Sequence, residues 1–252
     1  MLKSLTVVIT AVFLIGPISH SVYAQAERPR AYGLLIDNTR SIEKRFDHVK
    51  LFSKRVVDQV HTRGPVQLFS FTWTRDASYF VVPSRGIDHY EGGNYDRAIA
   101  TLGVEPTQDG GVLTRYIEEL DIVKGHTDLF GAIRSVAESL NDNRNSKDAT
   151  SDKIIILVTD GDHRMEMIGT TQPTETDDER IRRDSKLRKY LKDSGIKVYA
   201  IGITEELDTG ENRRLRAENF LGKVTKETGG KVVFSRSKDA DIDKLVNQLL
   251  GP

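Results

Sequence analysis

Residues 153–162 read Lys-Ile-Ile-Ile-Leu-Val-Thr-Asp-Gly-Asp, and five consecutive apolar residues from Ile154 to Val158, four of them β-branched, decide the fold. A run without polar alternation suits a parallel strand covered on both faces. Its C-terminal end carries Thr159-Asp160-Gly161-Asp162. Outward in both directions, apolar segments alternate with amphipathic ones, the pattern of a parallel sheet layered between helices. Ala31 to Ile36 is the first strand, and Ile42, Phe46, Val49, Phe52, Val56 and Val60 recur at helical steps until Gly64-Pro65 stops them. Val66–Trp73 and Ser78–Val82, separated by Thr74-Arg75-Asp76-Ala77, read as a hairpin that adds an antiparallel strand at a sheet edge. Residues 84–112, rich in Gly, Asp and Pro with a short helical hint at Tyr95–Leu102, read as a long surface excursion.

Leu129, Ile133, Val136 and Leu140 stripe a further helix. After the buried strand come a charged helix from Asp178 to about Ser194, a strand at 196–203 and a helix at 215–228. Gly229-Gly230, a short strand at 232–235 and a last helix striped by Ile242, Leu245, Val246 and Leu249 complete the series. The expected architecture is one doubly wound α/β domain over residues 25–252. Its central sheet is mostly parallel with one antiparallel edge strand, and helices cover both faces.

The 252 residues carry 37 basic and 37 acidic side chains, so no global field holds nucleic acid or an anionic membrane. The chain has no cysteine, which excludes disulfides, thiolate zinc sites and cysteine nucleophiles. Any metal sits on oxygen or imidazole. Residues 1–24 have the pattern of a cleaved signal peptide: Lys3, an apolar run from Leu5 to Ile15, and Val22-Tyr23-Ala24 at the cleavage position. The apolar run is shorter than the roughly 20 residues of a bilayer-spanning helix. The expected mature protein is secreted or periplasmic, with no integral membrane segment.

Ligands of open α/β sheets bind in the loops beyond the carboxyl ends of the strands. Three such loops offer oxygen ligands: Asp37-Asn38-Thr39-Arg40-Ser41, Gly125-His126-Thr127-Asp128-Leu129 and Asp160-Gly161. In this order, each at a strand end, they resemble the metal-ion-dependent adhesion site of von Willebrand factor type A domains. The Gly-x-Thr-x-Leu-x-x-Ala-Ile pattern of residues 125–133 adds to the resemblance. It implies that Asp37, Thr39, Ser41, Thr127 and Asp160 hold a divalent cation. Hard oxygen donors suit Mg²⁺ foremost, with Ca²⁺ or Mn²⁺ as alternatives. Three neutral hydroxyls leave such a cation short of negative charge, and the resemblance implies that an Asp or Glu of a partner protein completes its coordination.

The sequence departs from the family pattern at two positions. Thr39 stands for the usual serine and keeps the hydroxyl. Arg40 stands where a small residue is usual, and its charge either weakens metal affinity or helps attract an acidic partner. Asn38, Asp128 and Asp162 read as solvated loop residues, with Asp162 able to support the site from behind. Two rival readings remain at this level. One is a metal-dependent hydrolase using Asp160, Asp162 and His163, and the other is a type A scaffold without metal, in which the Arg40 charge recruits the partner.

Overall fold

A computed structural model describes residues 29–76, 95–123, 126–142, 151–163, 177–204, 211–236 and 240–251. The expected signal peptide and the expected strand at Ser78–Val82 lie outside these residues. Among the described residues, seven strands form one sheet: β1 (Arg30–Ile36), β2 (Val66–Asp76), β3 (Tyr95–Thr107), β4 (His126–Thr127), β5 (Asp152–Thr159), β6 (Lys197–Ile203) and β7 (Val232–Ser235). Their order across the sheet is β4-β3-β2-β1-β5-β6-β7. All neighbours are parallel except β2 and β3, so the sheet is mixed and mostly parallel, with β3 along one edge and only two-residue β4 beyond it. The chain leaves β1 toward β2 on one side and later adds β5 on its other side. β1 therefore marks the topological switch point, where open α/β sheets place their ligands.

Six α-helices among the described residues cover the two faces: α1 (Phe46–Val60), α2 (Gly110–Glu119), α3 (Leu129–Asn141), α4 (Asp177–Asp193), α5 (Glu211–Glu227) and α6 (Ile242–Leu250). The central strand β5 splits its apolar run between them. Ile155 and Leu157 pack with Ile133 and Val136 of α3, Leu187 of α4 and Leu221 of α5. Ile154, Ile156 and Val158 face Val49 and Phe52 of α1, Ile117 of α2 and Val246 of α6. Burial on both faces is what the unbroken apolar run predicts.

Three expectations about the first half of the chain need correction. The described antiparallel partner of β2 is β3, paired from Asp76↔Tyr95 to Val66↔Thr107. The helical hint at Tyr95–Leu102 and part of the expected excursion are therefore strand. A β-bulge hid it: Phe69 pairs with Leu102 and Leu68 with Val104, so Gly103 is an extra residue on β3. The bulge turns the strand, sending Ala100 to one core and Val104 to the other, which breaks the two-residue alternation by which a strand is read. Helix α2 was not expected, although Leu113, Ile117 and Leu120 are buried at helical spacing and Asp109 caps the helix through the amides of Gly111 and Val112. Finally, the first helix does not start as α at Ile42. Arg40–Arg45 form a 3₁₀ turn, and α1 follows from Phe46.

Gly230 shows how tightly β7 is delivered to the sheet. A Cβ there would lie 1.8 Å from the carbonyl oxygen of Val198 in β6, a backbone atom with no freedom to yield. Gly230→Ala is expected to destabilise the protein by about 1–3 kcal/mol, the usual cost of overpacking. Urea denaturation measures it, and an unchanged midpoint would show that β7 is loosely attached.

Candidate metal centre

The site is built on the ends of β1 and β5, which are adjacent in register through Ile36↔Val158. The amide of Asp37 continues that ladder by donating to the carbonyl of Val158 at 2.9 Å. Asp37 and Asp160 thus emerge from neighbouring strands, and both are essentially fully buried. Gly161 follows with φ +75°, a left-handed turn that glycine adopts without strain. A Cβ there would lie 3.0 Å from Leu221 and 3.1 Å from Ala217 of α5, so the turn runs close under the helix.

Asp37 is ordered from three directions. Its Oδ1 accepts from the amide and hydroxyl of Thr39, at 3.0 and 2.7 Å, and its Oδ2 accepts from Thr159 Oγ1 at 2.7 Å. Thr39 Oγ1 also lies 3.2 Å from Ser41 Oγ and accepts from Thr127 Oγ1 at 3.0 Å. Asp160 Oδ1 accepts from the amide of Asp162 at 2.8 Å, and the Ser41 hydroxyl lies near enough to the Asp160 carboxyl to favour its charged form. The structure therefore brings all five expected residues together, with Asp37, Thr39, Ser41 and Thr127 in one hydrogen-bonded cluster and Asp160 beside it. Arg40 is exposed at its rim, and because it opens a 3₁₀ turn its bulk does not disturb the loop.

The electrostatics of the cluster are unfavourable as it stands. Burial, followed by the charges of Asp37 and Asp162, pushes the Asp160 carboxyl well above the ordinary carboxylate range. Burial likewise raises Asp37, against the lowering effect of its hydrogen bonds from Thr159 and Thr39. Asp160 Oδ2 is buried without a hydrogen-bond partner, and among the described residues no Lys or Arg pairs with either carboxylate. Two coupled buried carboxylates without a counter-charge are costly. The donor set of carboxylates and hydroxyls fits a hard divalent cation, the one missing component that would offset that cost.

The residues around the cluster correct two further expectations. Asn38 is not solvated but 2% exposed, and it clamps three segments together. Its amide nitrogen donates to the carbonyls of Phe71 and Asp121, its Oδ1 accepts from the amide of Phe71, and its own carbonyl accepts from Val123. Asp128 is also buried: its Oδ1 caps α3 through the amide of Gly131 and accepts from Arg183 Nη2 of α4 at 2.9 Å. His163 stacks on Phe130 with ring centroids 3.9 Å apart, and its Nδ1 lies 3.7 Å from Asp128 Oδ1. Arg183 was missed in the sequence, hidden in a helix read as solvated. Its signal was positional, since Arg183, Leu187 and Leu191 form one buried row at steps of four. Among the described residues no three His, Asp or Glu side chains gather as a metal-binding group.

Comparison with known proteins gives the family. Residues 102–248 match the family model described as "von Willebrand factor type A domain", a span that includes Thr127 and Asp160 and begins after the Asp37 loop. No curated protein matches the chain. Among solved structures, the pilus adhesin SpaC from Lactobacillus rhamnosus GG is similar at 16% identity and a TM-score of 0.59. That match covers 89% of this chain and 30% of SpaC, so the chain spans under a third of the adhesin's length. The vWF domain of the type V pili tip protein Mfa5 from Porphyromonas gingivalis is similar at 12% identity and a TM-score of 0.56, covering 88% of this chain and 95% of that domain. The von Willebrand factor type A structure from Catenulispora acidiphila is similar at 14% identity and a TM-score of 0.52, covering 88% of this chain and 41% of that one. At these identities the structural likeness speaks for the fold alone, and the family match covers more than half of the sequence: the chain belongs to the von Willebrand factor type A domain family.

Proposed function

We propose that the protein is an exported protein-binding module, not an enzyme, that engages an acidic group of a partner protein through a divalent cation, Mg²⁺ foremost. The observation that carries this reading is the pair of buried, adjacent carboxylates, Asp37 and Asp160, with no cationic side chain to offset them among the described residues. Thr39, Ser41 and Thr127 would hold the ion, with Asp37 and Asp160 beside them. A bound Mg²⁺ supplies a Lewis-acidic position at which a partner's Asp or Glu carboxylate can bind. Asp37 fixes the Thr39 hydroxyl for that task, Thr159 fixes Asp37, and Asn38 anchors the loop to β2 and the segment after α2. The pilus adhesin and pilus tip protein among the neighbours support an adhesive, extracellular role. No helix among the described residues is long and apolar enough to cross a membrane. His163 faces Phe130 and Asp128, an arrangement that favours binding over the hydrolytic reading.

A second reading keeps the fold without metal, and one observation favours it. The hydroxyls of Thr39, Ser41 and Thr127 already satisfy one another. Calorimetric titration of Mg²⁺, Ca²⁺ and Mn²⁺ into chelator-stripped protein separates the two. The metal-dependent reading expects saturable binding at one site, lost in Asp37→Ala. Absence of heat with every ion, together with unchanged thermal stability, would leave the metal-free scaffold.

A further inference from the structure

Arg40 sits between two of the proposed cation ligands, Thr39 and Ser41, on the rim of the buried carboxylate pair. Its side chain is exposed and makes no ion pair or hydrogen bond among the described residues. Glu43, three residues on, shares its face of the 3₁₀ turn, where residues at i and i+3 eclipse. Even that nearby carboxylate does not hold the guanidinium.

Nothing in the fold asks for arginine at this position. It packs against no core, caps no helix, and places positive charge beside a site whose donors are suited to a cation, which weakens that cation's binding by like-charge repulsion. An arginine with these costs has one asset: a rigid planar fork of donors that matches a carboxylate bidentately. The fork stands one residue from each of two hydroxyls, on the exposed rim of the cluster.

We infer that Arg40 is a specificity-determining residue, and that the partner presents two neighbouring carboxylates, one for the cation and one for Arg40. This rests on the cation-dependent reading above. The recognised element is then an acidic peptide segment rather than an isolated Asp or Glu. Recruiting a second carboxylate also answers the electrostatic deficit, because the partner brings the counter-charge for the guanidinium along with the ligand for the ion.

The test uses the protein with Mn²⁺ or with chelator and two blocked peptides, Gly-Ser-Asp-Ser-Asp-Ser-Gly and Gly-Ser-Asp-Ser-Asn-Ser-Gly, followed by NMR titration. With Mn²⁺ replaced by Mg²⁺ for the NMR arm, the two-acid peptide is expected to bind about three- to tenfold tighter than the one-acid peptide. Arg40→Gln removes that preference without weakening Mn²⁺ binding measured by calorimetry, and Arg40→Lys restores only part of it because an ammonium lacks the planar fork. An equal preference in the parent and in Arg40→Gln, with metal bound, overturns the role of Arg40 and leaves the cation site standing. Failure of the parent to bind Mn²⁺ overturns both, and the calorimetric arm tells the two failures apart.

Discussion

Asp160→Asn is expected to abolish the proposed response of the protein to divalent cations and, in chelator, to make it more stable than the parent. The two effects have opposite sign, and together they separate a ligand from a structural carboxylate. Asparagine keeps the Oδ1 that accepts from the amide of Asp162, while it removes a charge buried beside Asp37 with one oxygen unbonded. Relief of the repulsion between the two buried carboxylates is on the order of 1–3 kcal/mol. In a domain of this size that raises Tm by about 2–4 °C per kcal/mol. With the proposed site occupied, the parent is expected to gain about 2.7 kcal/mol when the ion is at a hundred times its dissociation constant, and the variant nothing.

The pH dependence follows with a definite sign. Folding raises the Asp160 carboxyl above its ordinary value of 3.8, so the folded state binds protons more tightly than the unfolded state. The contribution of this group to stability is present below the ordinary value and is lost as pH rises through the raised one. In chelator the parent therefore loses stability as the solution passes from acid toward neutral, and Asp160→Asn flattens that loss. On the cation-dependent reading, saturating Mg²⁺ is expected to remove it by taking the place of the proton. Thermal denaturation in chelator and in Mg²⁺ across this range measures all three curves, and a variant less stable than the parent in chelator would mark Asp160 as a purely structural residue.

Arg183→Met produces the largest loss of stability. Arg183 and Asp128 face each other at 2.9 Å with side chains 1% and 2% exposed, so deleting the guanidinium leaves Asp128 charged and buried at the head of α3. Breaking such a pair from one side costs about 3–5 kcal/mol. Adding Asp128→Asn recovers most of the loss, because asparagine still caps the helix and carries no charge. Asp128 directly follows Thr127, so the single variant also loosens the hydroxyl that donates to Thr39 and weakens Mg²⁺ binding. Urea denaturation of the two single variants and the double variant tests this. A loss below about 1 kcal/mol in Arg183→Met would mean the pair is solvated in the working protein.

What could be read from the sequence was what is local. The apolar run at 154–158 identified the central strand, and the polar loops at the ends of β1 and β5 could be singled out because each carries its polar residues in one short stretch. The grouping of Thr127 with Thr39 came from the order of the motifs, which the parallel sheet converts into proximity. The unread parts depend on distant partners. Asn38 looked like a loop residue because its partners are Phe71 and Asp121, and Arg183 looked like solvated helix because Asp128 lies 55 positions before it. Strand β3 escaped because the bulge at Gly103 moves its side chains from one face to the other, so no regular alternation was present to be found.

Crystals grown with Mn²⁺ and measured at an anomalous wavelength test the central claim most directly. One anomalous peak is expected among Thr39 Oγ1, Ser41 Oγ and Thr127 Oγ1, with Asp37 and Asp160 beside it and the hydroxyl-to-hydroxyl bonds opened to admit the ion. An empty site with those bonds intact, in crystals saturated with Mn²⁺, would contradict it.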